Sequence, residues 1–150
     1  MPSITVVLAD SEKARRAGCR RLLQPEPGIQ VVGEVRSGLA AIAAAGDLQP
    51  HILLLSLSVS RGNGVALLPV LRQKSPRTKV ILLTRRASQG RILEALSRGA
   101  RGYLDEKGLR AFLPKAVRSV DAGEAWVPRK MVVKIMRRLR RLRAPAERRE

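Results

Sequence analysis

The 150-residue sequence predicts an α/β fold: a three-layer, doubly wound, five-stranded parallel sheet. Two observations carry that prediction. Short apolar runs recur at Ile4–Ala9, Ile29–Val35, His51–Leu55, Thr78–Thr84 and within Gly99–Leu104. They have the length and the near-continuous hydrophobicity of strands covered on both faces. Between them lie segments whose apolar residues repeat at helical spacing, joined by short turns. Strict strand–helix alternation requires parallel strands, because each crossover helix must lie over a face of the sheet.

The elements follow in order. "ITVVLA" stops at Asp10-Ser11, a helix N-cap pair, and "EKARRAGCRRLL" then places Ala14, Gly18, Cys19, Leu22 and Leu23 on one face and arginines on the other. "QPEPG" breaks this helix. "IQVVGEV" is the second strand, followed by a helix over Leu39–Ala45 and a turn at "GDLQP". "HILLL" is the third strand. The helix after it, Val65–Lys74, tolerates Pro69 only in its first turn. "TKVILLT" leads into a helix over Gln89–Arg98, "GARGYL" holds a short fifth strand, and Leu109–Asp121 forms a fifth helix closed by Gly123. The chain thus divides into a domain over residues 1–122 and a basic amphipathic helix and tail over 123–150.

Composition narrows the function classes. With one cysteine, Cys19, no intrachain disulfide can form, and its place on an apolar helix face points to core packing rather than redox sensing. No apolar stretch approaches the roughly 20 residues of a membrane span, so a soluble, cytoplasmic protein is expected. Thirty Lys and Arg against twelve Asp and Glu give a net charge of +18, which bears on association rather than on fold. The densest patch is the tail, with Arg129, Lys130, Lys134, Arg137, Arg138, Arg140, Arg141, Arg143, Arg148 and Arg149.

In doubly wound sheets ligands gather at the carboxyl ends of the strands. Those ends are Asp10-Ser11, Ser56, Thr84 and the loop after Leu104. The phrases "ITVVLAD", "RRLL", "VVGEVRSG", "ILLLSLSVSRGNG", "TKVILLT", "EALSRGARGYL" and "VDAGEAWVPRKMV" occur in one order and spacing. Together they resemble the receiver domain of NarL/LuxR-type bacterial response regulators. The resemblance implies the flavodoxin-like strand order 2-1-3-4-5 and a role in two-component signalling, with control of transcription as its output.

It also implies what each strand end should present. The phosphoacceptor aspartate of the family falls on Ser56, and its closing glycine on Gly64. The acidic pair after the first strand is represented by Asp10, its second member being Ser11. The threonine of the fourth strand is kept as Thr84 and the aromatic of the fifth as Tyr103. The lysine that follows it falls on Glu106, with Lys107 one position late. Aspartyl phosphorylation needs a carboxylate nucleophile, a Mg²⁺ ion and a neutralising lysine. Here one of three expected carboxylates remains, and no base stands beside Ser56, since His51 opens the same strand roughly 16 Å away. Lys107 can replace the lysine only if the loop shifts by one residue, which turns an extended side chain to the other face. Phosphoryl chemistry is therefore expected to be lost, Mg²⁺ binding to be weak or absent, and Ser11, Ser56 and Asp10 to act as caps and fillers. Thr84 and Tyr103 read either as remnants of a switch or as parts of a permanently set surface.

The glycine-rich "SRGNGVALL" lacks a P-loop lysine, and no nucleophile–base pair, metal cluster or cofactor motif suggests an enzyme. In the tail, Met131, Val132, Ile135, Met136, Leu139 and Leu142 form one apolar stripe among basic residues. DNA phosphate contact, membrane-surface binding, a partner protein and the family's linker helix all suit that pattern, and no helix-turn-helix reader follows it. The expectation is a protein-contact module, homodimeric through Gln89–Asp121. The rival is a transcriptional regulator, or a fragment of one, that binds nucleic acid without sequence preference through the basic tail, and the third reading is a conventional phosphoaccepting receiver.

Overall fold

The computed structural model describes residues 3–60, 63–86 and 89–148, with side chains as far as Arg141. Arg61 and Gly62 of the third-strand turn, the side chains of Leu142, Arg143 and Arg148, and Arg149 lie outside the described residues.

The strands are β1 (Ile4–Ala9), β2 (Ile29–Val35), β3 (Ile52–Ser56), β4 (Lys79–Thr84) and β5 (Gly102–Asp105). All pair in parallel, in the predicted flavodoxin-like order β2-β1-β3-β4-β5. The helices are α1 (Lys13–Leu23), α2 (Gly38–Leu48), α3 (Leu68–Lys74), α4 (Gln89–Ser97), α5 (Leu109–Asp121) and α6 (Arg129–Arg148). Successive strand residues point to opposite faces, so each strand feeds two cores. Val6, Leu8, Leu54 and Ile81 pack with Cys19 and Leu23 of α1 and Leu113 and Val117 of α5. Val7, Leu53, Leu55 and Leu82 pack on the other side with Ala41 of α2, Leu71 of α3 and Ile92 of α4. Burial on both sides is why the strands read as unbroken apolar runs.

Several predicted boundaries move for physical reasons. α2 does not stop at Ala45. Ser37 caps it, its Oγ accepting the Ala40 N–H at 3.1 Å, and the alanine-rich run carries the helix through Gly46 to Leu48. The next residue, Gln49, takes a left-handed conformation with φ 44°. The predicted helix Val65–Lys74 opens as a 3-10 turn (Gly64–Leu67) and becomes α-helical from Leu68, which puts Pro69 in its first turn. His51 lies just outside β3, where its Nδ1 accepts the Thr5 N–H at 2.9 Å and ties β1 to the start of the third strand.

The first part of the chain after α5 packs on the body. Trp126 lies along the outer edge of β5, where Tyr103 N–H donates to Trp126 O (2.8 Å) and Trp126 N–H to Arg101 O (3.0 Å). Its ring sits 5.8 Å from that of Phe112. α6 then starts against α4: Met131 is buried, Ile135 packs on the same core, and Lys134 Nζ donates to Gln89 Oε1. The single stripe expected in the tail therefore splits. Met131 and Ile135 face the body, while Val132, Met136 and Leu139 are exposed.

Candidate functional site

β1 and β3 are neighbours with Ala9 opposite Leu55, so the residues that follow, Asp10 and Ser56, emerge side by side at the carboxyl rim. Both are buried, at 3% and 1% exposure. Asp10 Oδ1 accepts the Glu12 N–H at 2.9 Å, an Asx-type turn that leads the chain toward α1. Neither Asp10 nor Ser11 is the N-cap expected from the sequence: α1 begins at Lys13, and the residue before it, Glu12, makes no side-chain capping bond.

The guanidinium of Arg15, in the first turn of α1, reaches back over this rim. Its Nε donates to Asp10 Oδ2 at 2.6 Å and its Nη2 to Asp10 Oδ1 at 2.9 Å, a bidentate pair. The same Nη2 lies 2.9 Å from Ser56 Oγ and 3.3 Å from Ser58 Oγ. Its Nη1 forms an ion pair with Glu12 Oε2 at 2.8 Å, off hydrogen-bond alignment. The Arg15 side chain is only 7% exposed. The Asp10 hydrogen bond raises the Arg15 pKa above its ordinary value against the opposing effect of burial, so the group stays charged. Ser56 Oγ and Ser58 Oγ are 2.9 Å apart, and Ser58 Oγ donates to Asp10 Oδ1 at 3.3 Å. Glu12 extends the chain of charges outward by pairing through Oε1 with Arg85, just beyond β4.

The other predicted residues sit around this cluster with different fates. Ser11 is exposed, its N–H donating to Ser58 Oγ at 3.4 Å. Thr84 is half-buried and lines the rim with Ser56, Ser58 and Arg85. Tyr103 is buried in the core shared by α4 and Met131. Glu106 and Lys107 occupy an exposed 3-10 turn (Glu106–Gly108), fixed by Gly108 N–H donating to Asp105 Oδ1 at 2.8 Å. Glu106 lies on the Arg15 side of this turn and adds to the negative field that keeps Arg15 charged. Lys107 forms no described bond to Asp10 or Ser56.

Residues 6–118 match the response regulator receiver domain family. The chain belongs to that family. It is 33% identical over 144 residues to the nitrate/nitrite response regulator protein NarL of Escherichia coli (strain K12), covering 96% of this chain and 67% of the relative. It is 32% identical over 139 residues to the DNA-binding transcriptional activator DevR/DosR of Mycobacterium tuberculosis, covering 91% and 63%. The chain thus spans about two thirds of the length of these relatives. Among solved structures, the signal receiver domain of the response regulator NarL from Mycobacterium tuberculosis superposes with a TM-score of 0.78 at 27% identity, covering 83% of this chain and all of that one.

For a receiver domain, the donor set at the rim does not suit a magnesium ion. Mg²⁺ wants hard oxygen donors, usually one or two carboxylates plus waters and phosphate. Here both oxygens of Asp10 are held by a guanidinium, Ser56 and Ser58 offer neutral hydroxyls, the nearby Glu12 carboxylate is paired with Arg15 and Arg85, and a full positive charge already stands in the place. Among the described residues no group of three or more His, Cys, Asp or Glu side chains is arranged to hold a metal ion. Reasoning from sequence found Asp10 and Ser56 because they end strands, but missed Arg15, Glu12, Ser58 and Arg85. The one signal available was an arginine five residues beyond Asp10, one turn into α1. That spacing does not distinguish it from Arg16, which instead donates through Nη1 to Asp10 O at 2.7 Å and approaches Glu34.

Proposed function

We propose that this receiver domain works in two-component signalling without accepting a phosphoryl group, as a non-enzymatic module that acts through protein contacts. The observation that supports this reading is the Arg15 guanidinium, buried on Asp10 and Ser56. It supplies from within the chain the positive charge that a divalent cation would otherwise bring, and it engages Asp10, the one carboxylate left among the three acidic positions (Asp10, Ser11, Ser56) that the family resemblance implies. Among the described residues no base hydrogen-bonds to the Ser56 hydroxyl, its partners being Ser58 and the Arg15 cation. Magnesium is accordingly expected not to bind at physiological concentration.

The partner is expected to be a second copy of the chain, meeting across the outer faces of α4 and α5. Exposed Phe112 on α5 and the exposed flank of α6, with Val132 and Met136, supply apolar area there. α6 covers the Gln89 end of α4, so that end is not part of the surface. The reading is tested by treating the purified protein with acetyl phosphate and Mg²⁺ and measuring its intact mass. An unchanged mass is expected. A stoichiometric phosphoryl gain abolished by Ser56→Ala overturns it.

A second reading, sequence-independent nucleic-acid contact through α6, is favoured by the exposed run Arg137, Arg138, Arg140 and Arg141. The described part of α6 carries no aromatic side chain, so base readout is not expected from it. A gel-shift series across salt separates the readings. A steep slope that disappears when these four arginines become glutamine supports DNA contact, and no binding at low salt removes it.

A further inference from the structure

The amino end of the sheet, opposite the site above, carries an open groove of about 630 Å³. It lies between the end of α3, the start of β4 and the turn from α4 into β5. Arg72, Arg77, Lys79, Arg98 and Arg101 line it, and no Asp or Glu does. Among the described residues none of these four arginines has an ion pair or a side-chain hydrogen bond. Lys79 Nζ donates to the main-chain oxygen of Asp121 at 2.9 Å, which fixes the side chain without neutralising it.

A basic protein must expose unpaired cations somewhere, and on a convex surface they spread apart at little cost. In a concavity with low-dielectric walls their fields add, which raises the local anion concentration. The floor is rigid and pre-formed. Ser75 is buried, its Oγ donating to Gln49 Oε1 at 3.1 Å and lying against Thr78 Oγ1, which donates to Pro50 O at 2.6 Å. Both hydroxyl protons are thus used internally, and recognition falls to the guanidiniums. Leu68, Leu71 and Val80 give the groove an apolar wall.

We propose that this groove binds a small polyphosphate of the nucleoside triphosphate class. Guanidiniums take phosphate oxygens in bidentate pairs, and the volume falls within the roughly 300–1,000 Å³ of small-molecule sites. Five cations are far from matched by one phosphate group, which carries about −2, whereas a triphosphate supplies about twice that. A nucleic-acid duplex is too wide to enter and would meet only the rim. The site is separate from Asp10 and Ser56 and does not depend on whether the domain accepts phosphate.

The test is calorimetric titration of the full chain at one fixed ionic strength with ATP, tripolyphosphate, inorganic phosphate and a short single-stranded oligonucleotide. One ATP or tripolyphosphate per chain is expected, with inorganic phosphate weaker by about tenfold or more. Arg98→Gln with Arg101→Gln lowers ATP affinity by about tenfold or more, as does Arg72→Gln with Arg77→Gln on the opposite wall, each with an unchanged melting curve. Arg137→Gln with Arg138→Gln in α6 changes it less than about twofold. The proposal is overturned if neither polyphosphate saturates at one site, if the α6 pair weakens ATP as much as the groove pairs, or if only the oligonucleotide binds through the groove.

Discussion

The two ends of the sheet handle the same excess of positive charge in opposite ways. At the carboxyl rim, Arg15, Arg16 and Arg85 each find a carboxylate, and Arg15 is drawn into the interior to do so. At the amino rim, Arg72, Arg77, Arg98 and Arg101 surround a cavity that no acid lines. The contrast separates a site that has been closed from one that stands open. A buried carboxylate such as Asp10 needs a counter-ion, because an uncompensated buried charge costs several kcal/mol. Where cations converge and no described carboxylate pairs them, the counter-charge we propose is a ligand from outside the chain.

The largest expected effect breaks the closed end. Arg15→Met keeps the length of the side chain but strands Asp10 at 3% exposure, and urea unfolding is expected to show a loss of about 3–5 kcal/mol. A loss below about 1 kcal/mol would mean that the pair is a solvated surface contact and that the two ends do not differ.

An intermediate effect gauges how dry the closed end is. Cys19 lies beneath Asp10, and burial pushes its thiol up from 9.0 to about 12, with Asp10 adding to the shift and Arg15 opposing it. Below pH 9 the thiol is neutral in both folded and unfolded chains. Above that the unfolded chain loses the proton while the folded chain keeps it, so this contribution to stability declines as pH rises toward 12. The decline is at most about 1.4 kcal/mol per pH unit. Comparing the wild type with Cys19→Ala between pH 8 and pH 11 isolates it, and parallel pH profiles would show that water reaches the rim.

The smallest effect belongs to the open end. Arg98→Gln with Arg101→Gln removes two unpaired surface charges and is expected to leave stability within about 0.5 kcal/mol, or slightly improved, in the same unfolding assay. A clear destabilisation would show that these arginines have structural partners after all.

The same contrast explains what the sequence could tell. Strands such as "ILLLS" were legible because burial on both faces leaves a contiguous apolar signature, and a strand's end fixes where Asp10 and Ser56 must stand. Arg15 was not legible. It is one of four arginines in an amphipathic helix, and which one turns inward depends on where the helix starts and on a carboxylate five residues back. The groove was hidden for a different reason: its cations come from the end of α3, the approach to β4 and the turn before β5, and only the fold brings them together. α6 illustrates the same limit, since periodicity marked its apolar residues but not which of them, Met131 and Ile135, meet the body.

The measurement that bears most directly on the closed site is the thermal midpoint of the wild-type protein with EDTA and with millimolar Mg²⁺, at constant ionic strength. If the Arg15 guanidinium holds the cation's place, the two midpoints coincide. A saturable upward shift with Mg²⁺ that disappears in Asp10→Asn would show that the metal still binds there.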